Sequence, residues 1–209
     1  MTPEDEPYAL RSPGEIERRM AMLTLPDVKP LIDYLQEVKS VVNAGRHQEF
    51  DMPCFDPCDG GINARALFLL EAPGPKAVGS TFISRNNPDP TARNMCELMQ
   101  QAGIPRKDTL LWNVVPWYVG ENGRIRAVTK TDIAEALPHL KRLIDLLPNL
   151  EVIVLIGGQA QLAARQLRFP AHVQVVKTYH MSQWVFNVWP EKKQQTQANF
   201  VRVAQILTT

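Results

Sequence analysis

Short apolar runs alternate along this chain with segments whose apolar residues recur every three or four positions. Ala66-Leu67-Phe68-Leu69-Leu70 and Val152-Ile153-Val154-Leu155-Ile156 are continuous apolar runs of strand length. With Thr109–Val115 and Val173–Thr178 they predict strands over 65–71, 109–115, 151–156 and 173–178. Helical spacing separates them. Leu31, Leu35, Val38 and Val42 share one face after Pro26, as do Met95, Leu98, Met99 and Ala102 after Asp89-Pro90. Ile133, Leu137, Leu140, Ile144 and Leu147 mark a helix over 131–147, which Pro138 is expected to kink or divide. Two more helices are expected over 159–167 and 194–207, the last through Phe200, Val203 and Leu207. Punctuation agrees: Ser12-Pro13-Gly14-Glu15 has capping-box spacing before a helix to about Leu23, Asp89 is placed to cap, and Gly45 and Gly103 close helices.

Strands apolar on both faces and alternating with helices predict an α/β fold. The expected form is a three-layer α/β/α sandwich around a central, mostly parallel four-stranded sheet. Residues 1–209 read as one domain, with 1–10 loosely ordered, 11–60 an N-terminal pair of helices and a loop, and 75–90 a long polar loop.

Composition narrows the function. A hydrophobic content of 44% in 209 residues suffices for a full core, and a net charge of +1 gives no global attraction to a polyanion. Nothing approaches the roughly 18 uninterrupted apolar residues of a membrane helix. The acidic start Met1-Thr2-Pro3-Glu4-Asp5-Glu6 is unlike a secretory signal. Cys54, Cys58 and Cys96 do not make a disulfide framework. A cytoplasmic monomer without membrane attachment is expected.

Parallel strands bring their C-terminal ends to one edge, where α/β proteins bind ligands. Here those ends carry Glu71-Ala72-Pro73-Gly74, Asn113-Val114-Val115-Pro116-Trp117, Gly157-Gly158 and Tyr179-His180-Met181-Ser182. A carboxylate, an amide and an imidazole beside apolar walls make a polar pocket the size of a nucleobase. On residue type alone, Asn113 reads equally well as a loop-capping amide and His180 as a surface histidine.

In order and position these motifs resemble the uracil-DNA glycosylase superfamily, especially the branch whose first motif reads Gly-Glu-Ala-Pro-Gly. The similarity covers about residues 65–182. It includes Phe82-Ile83-Ser84-Arg85, Ala102-Gly103-Ile104-Pro105-Arg106-Lys107-Asp108 before Trp112-Asn113-Val114-Val115, Gly157-Gly158-Gln159-Ala160, and His180-Met181-Ser182 where the family has His-Pro-Ser. The resemblance implies a monofunctional enzyme that flips a nucleotide from DNA containing a damaged or deaminated base and cleaves its glycosidic bond. Phe82 would stack on the pyrimidine, Asn113 would pair with its O4 and N3–H edge, and backbone at Glu71 and Ala72 would lie along the other edge. His180 would hydrogen-bond O2, where negative charge grows. Gly74, Lys76, Ser84, Arg85 and Ser182 would meet the DNA backbone, with Arg93 nearby, and so few cations imply weak, salt-sensitive binding.

Several departures qualify the resemblance. Ala72 stands where the best-known branch has an aspartate, which leaves Glu71 as the candidate base for water or else a dissociative reaction without one. Met181 replaces the proline of His-Pro-Ser and is expected to loosen that loop. Trp184 stands four residues after His180, where some relatives have a leucine wedge, although Trp184–Trp189 also alternates like a strand. The similar branch holds an iron–sulfur cluster through four cysteines, whereas this chain has three; neither cluster nor other metal is expected, the alternative being a zinc site using His47. Hypoxanthine or xanthine as the lesion, and a nucleic-acid-binding member without turnover, are the rival readings.

Overall fold

The computed structural model describes residues 6–47, 49–121 and 124–208. Its centre is a sheet of β2 (Ala66–Leu70), β4 (Thr109–Asn113), β7 (Val152–Ile156) and β8 (Gln174–Thr178), ordered β4-β2-β7-β8 and parallel throughout. β2, β4 and β7 are buried almost completely, as both-face apolar runs require. β8, at one edge, alternates Val176 and Thr178 inward with Lys177 and Val175 outward.

Helices cover both faces. Phe68 of β2 meets Phe200 of α8 (Pro190–Thr208), ring centroids 5.6 Å apart, and α8 packs against α4 (Pro90–Ala102) and α7 (Gln183–Val188). Trp112 of β4 points the other way and stacks on Phe55 at 3.7 Å. Phe55 in turn meets Tyr34 of α2 (Lys29–Asn43), whose hydroxyl donates to His139 O of α5 (Lys130–Asp145) at 2.9 Å. The result is the expected three-layer α/β/α sandwich.

Local details differ from the sequence pattern where tertiary contacts intervene. Residues 75–90 contain α3 (Pro75–Ser80) and β3 (Phe82–Ile83), which pairs with β1 (Cys54–Phe55), so the loop is partly regular. α5 runs unbroken through Pro138, because Pro138 and Ala134, four residues earlier, are both exposed and the freed carbonyl faces solvent. Trp184–Val188 is helical within α7, not a strand. In α1 (Pro13–Ala21), Ser12 makes no side-chain cap, and the Glu15 carboxylate, the other half of the expected box, accepts from Arg18 and Arg19 instead. Residues 1–5 lie outside the described residues, but Leu10 is buried and its N–H donates to Asn86 O, so 6–10 are not loose. Asp89 caps α4 through Ala92 N–H, and Gly103 ends it at φ 71°. A hairpin of β5 (Gly120–Glu121) and β6 (Arg124–Ile125) and the helix α6 (Gly157–Ala164) complete the elements near the strand ends. No helix among the described residues is long and apolar enough to cross a membrane.

Candidate active site

Register brings the first two motifs together. Asn113 ends β4 opposite Leu70, and the N–H groups of Val114 and Val115 donate to Leu70 O and Glu71 O at 2.8 and 3.0 Å. Beside this seam lies a mostly apolar cavity of about 390 Å³ whose lining includes Leu70, Ala72, Gly74, Ile83, Asn113 and His180. Asn113 is only 3% exposed and lines this cavity.

His180 enters from the end of β8. Its Nδ1 accepts the Ser182 N–H at 3.2 Å, so in the neutral ring the proton sits on Nε2. Burial depresses the His180 pKa against the opposing pull of Asp89, which favours that neutral donor. The loop is not loosened by Met181: its side chain is fully buried and its carbonyl accepts from Asn94 Nδ2 of α4 at 2.8 Å. Gly157, at φ +83°, clears space for the imidazole; a Cβ there would stand 3.3 Å from His180 Cβ.

Glu71 faces elsewhere. It lines two neighbouring hollows of about 490 and 370 Å³, each shared with His180, but not the cavity that holds Ala72 and Asn113. Adjacent residues leaving a strand diverge. Burial raises its pKa, partly offset by a hydrogen bond from the Val128 backbone.

Three side chains lie otherwise than the resemblance implies. Phe82 is fully buried and does not line the cavity; its strand neighbour Ile83, on the opposite face, supplies that wall. Arg85 is buried against Asp59 and Thr109, out of reach of a DNA phosphate. Ser84 touches the cavity, but its hydroxyl is committed to Asp56. Both belong to an interior ion cluster that sequence spacing did not disclose. Arg19 donates to Asp56 (2.5 Å) and Asn86 (3.0 Å), and Arg106 to Asp56 (2.8 Å), Asp59 (3.0 Å) and Asn86 (2.8 Å). Burial alone would raise the Asp56 pKa, but Arg106, Arg19, Ser84 and the Cys58 N–H reverse it and hold it low.

The remaining candidates lie around the mouth. Gly74 begins α3 and lines the cavity; Lys76 is exposed at its rim. Ser182 caps α7 by accepting from Val185 N–H at 3.3 Å, and Trp184 is 64% exposed. Ile125, Asn87 and Asp89 also line the cavity, contacts that no sequence spacing marked. A larger hollow of about 850 Å³ beside α2 includes Cys54 but no strand-end residue.

The residues do not fit a four-thiolate cluster. Cys54 borders the α2 hollow, while Cys58 and Cys96 are buried where Arg18, Arg85 and Arg106 act on them electrostatically. Guanidinium groups, rather than further thiolates, surround those two sulfurs. Among the described residues no three His, Cys, Asp or Glu side chains are grouped to hold a metal.

Fold and edge together define an α/β protein with a mostly apolar cavity, lined also by an amide and an imidazole, at the carboxyl ends of parallel strands. The family model of the Uracil DNA glycosylase superfamily matches residues 57–205, and the chain belongs to that superfamily. Its fold is therefore that of DNA glycosylases, hydrolases that excise bases from DNA. No curated protein matches the sequence.

Proposed function

We propose that this protein hydrolyses the N-glycosidic bond of uracil in DNA and leaves an abasic site, without cutting the strand itself. The observation that carries this reading is the amide of largely buried Asn113, which lines one cavity with His180. An amide can accept from N3–H and donate to O4 of a flipped uracil, and backbone at Ala72 runs along the same wall. His180, neutral and with Nε2 as its donor, hydrogen-bonds O2 as the C1′–N1 bond breaks and negative charge passes to the base. Such a preorganised donor typically contributes roughly 3–4 kcal/mol to the barrier reduction. Ala72 in the cavity wall cannot act as a base and Glu71 lines the neighbouring hollows, so in this reading bond breaking is largely dissociative, with water captured by an oxocarbenium-like sugar. Ile83 takes the part of the apolar wall that the resemblance gave to Phe82.

The test is incubation with matched oligonucleotides carrying uracil, hypoxanthine or xanthine, followed by alkaline cleavage. Scission is expected with uracil, and only after alkali. Asn113→Ala should slow it, and Asn113→Asp should let cytosine compete, because a carboxylate accepts from an exocyclic amine. Cleavage confined to a purine lesion, or none with any of them, refutes the reading.

A further inference from the structure

An exposed aromatic surface begins one residue before His180. Tyr179 is 42% exposed, Trp184 64% and Val188 49%. These residues do not stand apart. The Trp184 and Trp189 rings meet edge-on, centroids 4.7 Å apart at 89°, and Lys192 Nζ lies 3.6 Å from the Trp189 centroid and 5.5 Å from that of Tyr179. Trp189 is thus clamped between a cation and a second ring, and it holds Trp184 upright with much of its surface in solvent. Large aromatics left in water at this density mark a contact surface.

We propose that Tyr179, Trp184 and Trp189 form a stacking platform for unpaired bases next to the nucleotide in the cavity, which adapts the protein to single-stranded DNA. This rests on the reading that the cavity accepts a base from DNA. Position, charge and base chemistry favour that occupant. Tyr179 is the chain neighbour of His180, which lines the cavity, so the platform starts beside the place where a base would be inserted. Lys192 sits within the platform, with Lys177 and Lys193 exposed nearby and Glu191 the adjoining acid, a balance that suits a phosphate chain. Every base offers a π face to an aromatic side chain, but only when it is not already stacked in a duplex.

Intrinsic fluorescence provides the test. Of the four tryptophans, Trp112 and Trp117 are buried, so quenching by added DNA reports on Trp184 and Trp189. Oligothymidylate, which carries no lesion, is titrated into the full-length protein and compared with its duplex of the same length. Quenching is expected with the single strand and not with the duplex, and it should weaken as salt rises. Trp184→Ala should weaken single-strand binding by about 5- to 150-fold, the loss of one stacked base. Trp189→Ala should also weaken it, and Trp189→Phe should restore it by returning the edge contact. Equal quenching by duplex, unchanged affinity in Trp184→Ala with unchanged circular dichroism, or burial of this face by self-association in sedimentation would each overturn the proposal. Because the probe has no excisable base, platform binding without uracil excision would refute only the function proposed above.

Discussion

Replacing Gly157 by alanine tests whether the position of His180 matters to the chemistry. Gly157 begins α6 at φ +83°, where a Cβ costs roughly 1–2 kcal/mol. The new methyl would stand 3.3 Å from His180 Cβ, tighter than the usual 3.5–4.0 Å approach of carbon atoms, and 3.6 Å from Cδ2, an ordinary contact. The imidazole must give by a few tenths of an ångström. A misplacement of about 1 Å can cost around 10²-fold in rate, so a shift of this size should cost roughly 3- to 10-fold. Single-turnover excision from a uracil oligonucleotide measures the rate effect, and urea unfolding measures the strain. Gly158→Ala is the control, since nothing lies within 4 Å of its added Cβ. If Gly157→Ala excises at the wild-type rate, the contact does not position the base donor. A Gly157→Ala substitution that slows a His180→Ala background by its full factor would equally exclude positioning through this contact, because coupled neighbours should not multiply independently.

Acidification should slow excision, with a midpoint below the ordinary histidine value of about 6.5, as protonation forces an N–H at Nδ1 against the Ser182 N–H. A depressed histidine pKa also means that its contribution to stability is complete above the unfolded value and is lost as pH falls through the folded one; a rate profile from about pH 8 to 5 with His180→Gln, which should lack this limb, checks the assignment. Glu71→Gln should slow excision less than about fivefold because the carboxylate lies off the base cavity, whereas a hundredfold fall in single-turnover rate would make Glu71 the general base. Asp56→Asn should destabilise the fold by about 3–5 kcal/mol in urea at neutral pH, since Arg19 and Arg106 lose their buried counter-charge. Because the folded Asp56 pKa is lowered, that difference should shrink as pH falls below the ordinary aspartate range.

Apolar patterning along the chain was enough to set the layers and the edge. Runs such as Val152–Ile156 are too apolar for any place but the middle of a covered sheet, and parallel strands then bring Glu71, Asn113, Gly157 and His180 toward one side. Asp89 and Gly103 were legible because a cap depends on neighbours within a turn. What lay beyond sequence was the direction and company of individual side chains. The chemistry of Arg85 suits a phosphate and that of Phe82 a base, yet Arg85 meets Asp59 across 26 residues and Phe82 turns away where Ile83 turns in. Asn94 holds the Met181 carbonyl from another helix, which replaces the stiffness that a proline would have provided locally. Periodicity reports which face of an element is dry, because burial acts on each residue singly; pairing between distant polar groups depends on where the chain returns, and only the tertiary structure decides that.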